Sequence, residues 1–273
     1  MKTIKYIISL LVIGIFFMSC EKVIELELND AETKLVVEAQ LSNGEGENYV
    51  ILSKSGSFYE TNDFIMVKDA EVSIQDHEGH LFDLEEVQDG VYYHANLDGE
   101  FLNKYTLKID AENKTYTAFS TMPPLVKIDS IAVEIREGNG PGGGPDEESF
   151  RINCHFQDPP NVDNYYKLRI LNVVTGESEF TIYNDDYFDG KDAELPIRGA
   201  SVFSGDSLVV ELHSLDKANY EYFKLLESNG MSAFSTSVGN PTSNIEGEHV
   251  IGIFGATAVD RKPLIIEGLP FEF

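Results

Sequence analysis

The chain has 273 residues, of which 47 are acidic and 20 are lysine or arginine, so its formal net charge at pH 7 is −27. A surface this acidic repels phosphate backbones and anionic lipid headgroups, which excludes nucleic acid as a natural partner. The length fits one large or two ordinary domains, and two cysteines leave no disulfide framework.

The N-terminal segment has the organisation of an export signal. Two lysines precede an apolar run that extends to Met18 and ends at Ser19-Cys20. The run is shorter than the ~20 apolar residues of a transmembrane helix, and acidic residues follow it. Because a small residue precedes the cysteine, we expect a lipoprotein signal at residues 1–19 and lipidation of Cys20. An ordinary signal peptide with an accidental cysteine is the alternative.

The first half of the mature chain predicts a β domain. Short runs rich in β-branched and aromatic residues alternate there with turn residues. Clean alternation in one run predicts that Tyr105, Leu107 and Ile109 are buried, and Glu112-Asn113 predicts a tight hairpin after it. The predicted strands are Val23–Leu28, Leu35–Gln40, Tyr49–Ser53, Ala70–Gln75, Leu81–Glu85, Gly90–His94, Lys104–Asp110 and Lys114–Thr121.

Pro123 and Pro124 then interrupt the pattern, because proline cannot donate a ladder hydrogen bond and restricts the residue before it. We place a domain boundary there, which gives an N-terminal domain at residues 20–122 and a C-terminal domain at residues 123–273. Further strands are predicted at Val126–Ile135, Phe150–Gln157, Tyr165–Val174, Ser207–His213 and His249–Ile266.

One helix is predicted in the second half, near residues 215–229. Ser214 is a suitable N-cap, and Gly230 can take the left-handed conformation past the C-terminus. The expected fold class is therefore mainly all-β. It consists of two β-sandwich-like domains, of immunoglobulin or fibronectin type, with one helix inserted in the second.

The densest group of carboxylates lies between residues 183 and 192. Oxygen ligands on a loop suit calcium, so Asp185, Asp186, Asp189 and Asp192 are candidate ligands of that ion. Their spacing does not match the helix–loop–helix calcium motif, and an acidic loop tip is the default interpretation. Aromatic residues interleave with the aspartates and suit contact with a protein or a sugar: Tyr183, Tyr187 and Phe188.

The sequence contains no motif of the common catalytic classes. It lacks a Gly-x-Ser-x-Gly elbow, a His-Glu-x-x-His pair, a Cys-x-x-Cys pair and a dinucleotide fingerprint. Cys154 lies on the apolar face of an alternating run, which indicates a buried thiol and not a nucleophile. His77 and His80 flank a turn with Glu78 and would hold a metal only with a third ligand. We expect no enzymatic activity.

Several segments together resemble a known family. They are similar, over essentially the whole mature chain, to the Bacteroidota lipoprotein family catalogued as domain of unknown function 4249. The resemblance implies an outer-membrane lipoprotein whose relatives accompany TonB-dependent receptors, and it supplies no catalytic residues. The segments are Cys20–Leu26, Leu35–Ala39, Leu52–Ser55, Thr121–Pro124, Asp158–Asn161, Asn240–Gly247 and Gly252–Ala256.

The sequence therefore predicts a non-enzymatic accessory protein of the cell outer membrane, anchored through Cys20. It is expected to dock on a TonB-dependent receptor and to help capture or admit a nutrient. Two alternatives stay open. One is a stand-alone surface adhesin or ligand-binding module that uses the acidic-aromatic loop. The other is an envelope hydrolase, which requires converging carboxylates or a metal.

Overall fold

The computed structural model describes residues 33–44, 48–56, 65–135, 150–199, 201–231 and 241–267. Cys20, the predicted signal at residues 1–19 and the predicted strand Val23–Leu28 lie outside the described residues. The secondary-structure elements are β1 (Leu35–Ser42), β2 (Tyr49–Lys54), β3 (Ile65–Met66), β4 (Glu71–Gln75), β5 (Leu81–Gln88), β6 (Val91–Tyr93), β7 (Lys104–Ala111), β8 (Lys114–Thr121), β9 (Ser130–Ile135), β10 (Phe150–Gln157), β11 (Tyr165–Asn172), β12 (Ser178–Asn184), β13 (Asp192–Pro196), β14 (Ser207–Leu215), α1 (Lys217–Met231) and β15 (Val250–Ile265).

The strands form a large sheet and a small one. The large sheet has twelve strands in the order β12-β11-β14-β15-β1-β2-β6-β5-β4-β7-β8, with β3 beside β2. The small sheet has the order β13-β10-β9. Strand β1 is parallel to β15, with Leu35 opposite Val250 and Ser42 opposite Thr257. Among the described residues, no helix is long and apolar enough to cross a membrane.

The first hydrophobic core is formed by one face of the large sheet. Tyr105, Leu107 and Ile109 are buried in it, as their alternation predicts. The predicted hairpin between β7 and β8 is also confirmed, because Glu112 and Asn113 both have positive φ angles, of 51° and 61°. Side chains from β1, β2 and β15 enter the same core as those from β4, β7 and β8. The large sheet therefore folds back on itself, and its two halves enclose this core as in a β-sandwich.

The second core lies between the two sheets. Strand β10 of the small sheet contributes Ile152, Cys154 and Phe156, and the large sheet contributes Leu168 from β11 and Leu212 from β14. Period-2 alternation points these side chains to one face of each strand, so the two faces pack as a β-sandwich. The mainly all-β, sandwich-like fold class is thus confirmed, and the described part of the chain contains one helix.

The predicted domain boundary falls between the two cores. Met122 is buried in the first core and Val126 in the second. Strand β15 belongs to both, since its Phe254 lies in the first core and its Leu264 packs against the second. Residues Glu32–Phe273 form one compact unit. The halves thus share a strand, and their division into two domains stays a prediction.

The helix begins later than predicted. Leu215 is the last residue of β14, and Asp216 takes the N-cap position, where its Oδ1 accepts a hydrogen bond from the backbone N–H of Asn219 at 2.9 Å. Ser214, the predicted cap, is buried on the strand instead. A Cβ at Gly255 would lie 2.3 Å from Oδ1 of Asn219, so a glycine there lets α1 approach β15 closely.

Candidate functional site

Two neighbouring loops hold the acidic segment. One joins β10 to β11 and spans residues 158–164, and the other joins β12 to β13 and spans residues 185–191. The loops start and end on paired strands, because β10 pairs with β13 and β11 pairs with β12. They therefore lie side by side, and we refer to them as the acidic loop pair.

Three carboxylates converge in the acidic loop pair. One oxygen from each of Asp158, Asp185 and Asp189 lies within 4.8 Å of the others. Asp158 and Asp185 are buried, and Asp189 is exposed. Calcium takes six to eight oxygen ligands, and these three carboxylates could supply some of them. Asp186 and Asp192, which the sequence also suggests as ligands, are not part of this group among the described residues.

Asp158 is committed to hydrogen bonds on both oxygens. Its Oδ1 accepts the hydroxyl of Tyr166 at 2.5 Å, and its Oδ2 accepts the backbone N–H of Gly190 at 2.9 Å. Burial raises the pKa of the Tyr166 phenol, and the Asp158 charge raises it further, so Tyr166 stays a donor. Asp158 thus fastens the second loop to the start of the first.

The other two carboxylates tie the loops together in the opposite direction. Asp185 Oδ2 accepts the backbone N–H of Asn164 at 2.9 Å, and Asp189 Oδ1 accepts that of Asn161 at 2.8 Å. The cluster therefore acts as a clamp between the loops, and calcium binding by it stays a prediction.

The three aromatic residues of the segment lie in different environments. Tyr183 is half-buried, and its hydroxyl donates to the backbone carbonyl of Pro196. Phe188 packs into the second core, with its ring edge-on to Phe156 at 6.2 Å between centroids. Tyr187 is 89% exposed. Of the three predicted contact residues, Tyr187 is the one whose ring is available to a partner.

Cys154 is buried as predicted. Its side chain has no exposed surface, and burial raises the pKa of the thiol to about 12. The thiol therefore stays protonated at pH 7, whereas nucleophilic attack requires the thiolate. His155 follows on the opposite face of β10, where it faces Glu194.

A second acidic group lies on the turn between β4 and β5. Asp76 supplies the third ligand atom beside Glu78 and His80, while His77 is not part of the group. Nδ1 of His80 lies 2.9 Å from Oδ2 of Asp76, and this contact raises the pKa of the imidazole. Glu78 and His80 are exposed and Asp76 is half-buried, so metal binding by this turn stays a prediction.

Asp158 is the site residue that sequence patterns missed. It follows the last residue of β10 and precedes two prolines, and the segment Asp158–Asn161 stands out in the sequence only through its resemblance to the family. Pro160 and Asn161 lie in a turn, where Asn161 has a positive φ of 63°. The carboxylate lies beside Asp185 and Asp189 because β10 pairs with β13, a contact between distant segments.

Comparison with known structures gives a weak likeness. One match is a two fibronectin type-III domain segment from chicken tenascin, with 15% identity over 66% of this chain and 88% of that chain. The TM-score of this match is 0.20. No curated protein sequence matches the chain. The profile of the family described as Domain of unknown function (DUF4249) matches residues 21–263. The chain therefore belongs to the DUF4249 family.

Proposed function

We propose that this protein is a lipid-anchored accessory protein of the outer membrane, which binds a TonB-dependent receptor and helps capture or admit a nutrient without catalysis. The signal that ends at Cys20 supports the anchor. The resemblance to a lipoprotein family whose members accompany such receptors supports the partner. The anchor would hold the protein beside the receptor and raise its local concentration there.

The observation that carries a binding role is the presentation of Tyr187. Its ring is 89% exposed on a loop that Asp158 and Asp189 fasten to the neighbouring loop. Val162, which is 61% exposed, belongs to that neighbouring loop. An aromatic side chain on an already ordered loop loses little conformational entropy on binding, so it is a suitable contact residue.

Pull-down of the full-length lipidated protein from solubilised outer membranes tests the proposal. We expect a TonB-dependent receptor to co-purify, and Tyr187→Ala to reduce its yield severalfold. Val174→Ala is the matched control, because Val174 is 81% exposed on the turn between β11 and β12 and should leave the yield unchanged. Absence of any receptor above background from the wild-type sample would refute the partner.

The anchor has a separate test. Cys20→Ser removes the acyl acceptor and should shift the protein from the membrane fraction to the soluble envelope fraction. Fractionation with immunoblotting measures this shift, and metabolic labelling with palmitate measures lipidation. If the variant stays in the membrane fraction and the wild type carries no label, lipidation at this cysteine is wrong.

A second candidate function uses the same loops. Three converging carboxylates favour a stand-alone ligand-binding module or adhesin in which calcium orders the contact loop. Calorimetry with calcium, on the wild type and on Asp189→Asn, separates the candidates. Calcium binding that this substitution abolishes, without any receptor in the pull-down, would favour the stand-alone module.

The hydrolase alternative has weaker support. The carboxylates do converge, as that alternative requires, but Asp158 is buried and accepts two hydrogen bonds. An acid or base must reach the substrate, and this carboxyl group has no free oxygen toward solvent.

A further inference from the structure

A cluster of charged side chains lies on the large sheet beneath α1. Glu211 on β14 is opposite Arg169 on β11 and opposite Arg261 on β15, and His213 is opposite Lys167. Glu211, His213 and Lys167 are buried, with exposed fractions of 3%, 1% and 7%. Since a buried ion is strongly unfavourable unless it is paired, we expect these groups to be held in fixed positions.

Glu211 is the centre of the cluster. It accepts hydrogen bonds from Nη1 of Arg169 at 3.2 Å, from Nε of Arg261 at 3.0 Å and from Nε2 of His213 at 3.0 Å. Burial and the neighbouring cations lower the pKa of His213 to about 3, so the imidazole is neutral at pH 7. The cluster thus contains three cations, which are Lys167, Arg169 and Arg261, and the carboxylate of Glu211.

This arrangement is unusual in a chain whose net charge is −27. Glu38 on β1, which lines a pocket next to the cluster, adds a second carboxylate. Among these residues, the three cations Lys167, Arg169 and Arg261 therefore lie near two carboxylates, Glu211 and Glu38. The sheet therefore collects cations at one place, although most of the surface is acidic.

The cluster opens into a pocket of about 390 Å³ between α1 and the sheet. Lys167 and Arg169 line its polar side, and the rings of Tyr49, Phe180, Tyr222 and Phe223 line its apolar side. The Lys167 ammonium lies 4.3 Å from the centroid of the Phe223 ring. Pockets of this size that combine aromatic walls with a few convergent polar groups are typical of small-molecule sites.

The pocket also retains capacity for hydrogen bonds. A guanidinium carries five N–H donors, and the contacts of Arg169 to Glu211 use one nitrogen. The Arg169 side chain is 33% exposed, so it can meet a ligand without leaving the sheet. Guanidinium geometry matches a carboxylate in a bidentate pair, while the aromatic walls favour a flat apolar body.

We infer that this pocket binds a small organic carboxylate that carries an aromatic ring, with the carboxylate at Arg169 and Lys167 and the ring among the aromatic side chains. This inference goes beyond the receptor-associated role. It requires neither the receptor nor the acidic loop pair, because the pocket lies beneath α1 and is not lined by those loops. A site of this kind would give the protein a ligand of its own.

Saturation-transfer NMR and calorimetry on the purified full-length protein test the inference, with benzoate and 2-naphthoate as probes. Benzamide is the uncharged counterpart, and cyclohexanecarboxylate is the counterpart without an aromatic ring. We expect saturable binding of the two aromatic carboxylates and about tenfold weaker binding of benzamide, because a charge-assisted hydrogen bond is lost.

Two substitutions locate the binding. Arg169→Gln should weaken 2-naphthoate about tenfold, whereas Arg151→Gln, at an exposed arginine on β10, should leave the affinity unchanged. Leu226→Ala is a milder second variant, since Leu226 lines the pocket and is 37% exposed, and it should weaken 2-naphthoate more than benzoate. Circular dichroism confirms that each variant is folded.

The inference is overturned by any of three results. The first is no saturable binding of either aromatic carboxylate to the wild type. The second is equal affinity for benzamide or inorganic phosphate, because the site would then not select an aromatic anion. The third is unchanged affinity in both folded pocket variants. Failure of the receptor pull-down has no bearing on these measurements, so the two proposals can fail separately.

Discussion

Replacement of Glu211 by glutamine tests whether the charged cluster stabilises the fold. The carboxylate is 3% exposed and accepts hydrogen bonds from Arg169, Arg261 and His213. Burial alone would raise its pKa, but the hydrogen bond from His213 and the nearby cations lower the pKa to about 2. Glutamine has nearly the same shape but no charge, and its amide nitrogen cannot accept a hydrogen bond, so the substitution removes the charge and one of the two acceptor atoms.

The magnitude follows from the pKa. A fall from 4.5 to about 2 corresponds to about 3 kcal/mol of free energy of unfolding at pH 7, since one pH unit of pKa is worth about 1.4 kcal/mol. His213 is neutral at pH 7 and contributes a hydrogen bond without a charge. We therefore expect Glu211→Gln to lower the free energy of unfolding by about 2 to 3 kcal/mol.

The assay is urea unfolding of the full-length protein, followed by circular dichroism. Glu179→Gln is the matched control, because Glu179 is exposed on β12 and its replacement should change stability by less than about 0.5 kcal/mol. Glu211 has a depressed pKa in the folded state. Its contribution is therefore fully present above pH 4.5 and is lost as the pH falls toward 2. Equal urea midpoints for wild type and Glu211→Gln at pH 7 would refute the reasoning.

Three further predictions concern other buried positions. Asp158→Ala leaves the Tyr166 hydroxyl without its acceptor, so it should lower the free energy of unfolding by about 1 to 3 kcal/mol, as measured by urea unfolding. Hydrogen exchange in the acidic loop pair should become faster, and unchanged exchange would contradict the clamp. Gly252→Ala should prevent stable pairing of β1 with β15 and lower the melting temperature, because the new Cβ would lie 1.9 Å from the Val37 carbonyl oxygen at a φ of 127°. In the Cys20→Ser chain, Cys154 should resist a thiol reagent at pH 8 until urea unfolds the protein, since its thiol is buried with a pKa of about 12. Rapid labelling of this folded variant would disprove the prediction.

Local patterns were sufficient for much of the β structure. Alternation is a property of a few consecutive residues, so the burial of Tyr105 and Cys154 follows from their own strands. The hairpin at Glu112-Asn113 follows from two residues that tolerate positive φ. The helix was located with an error of two residues at its start, because a strand that ends in buried residues continues to Leu215. Strands β3, β12 and β13 were missed, since their apolar patterns are short or irregular.

The acidic segment was recognised from composition, but its geometry was not. Asp185 and Asp189 are near one another in sequence, whereas Asp158 joins them through the pairing of β10 with β13. Tyr187 and Phe188 are neighbours with similar hydrophobicity, yet one is exposed and the other packs into the second core. Which ring is available to a partner depends on how the loop turns over the sheets.

The sequence by itself determined the class of the protein, which is an acidic, mainly β chain of the DUF4249 family, and it predicts an export signal that ends at Cys20. These features depend on composition and on local periodicity. The tertiary structure alone decided the parallel pairing of β1 with β15 and the register that brings Arg169, Glu211 and Arg261 together. Such contacts join distant segments, and they form because packing of the whole sheet outweighs the preference of any single strand.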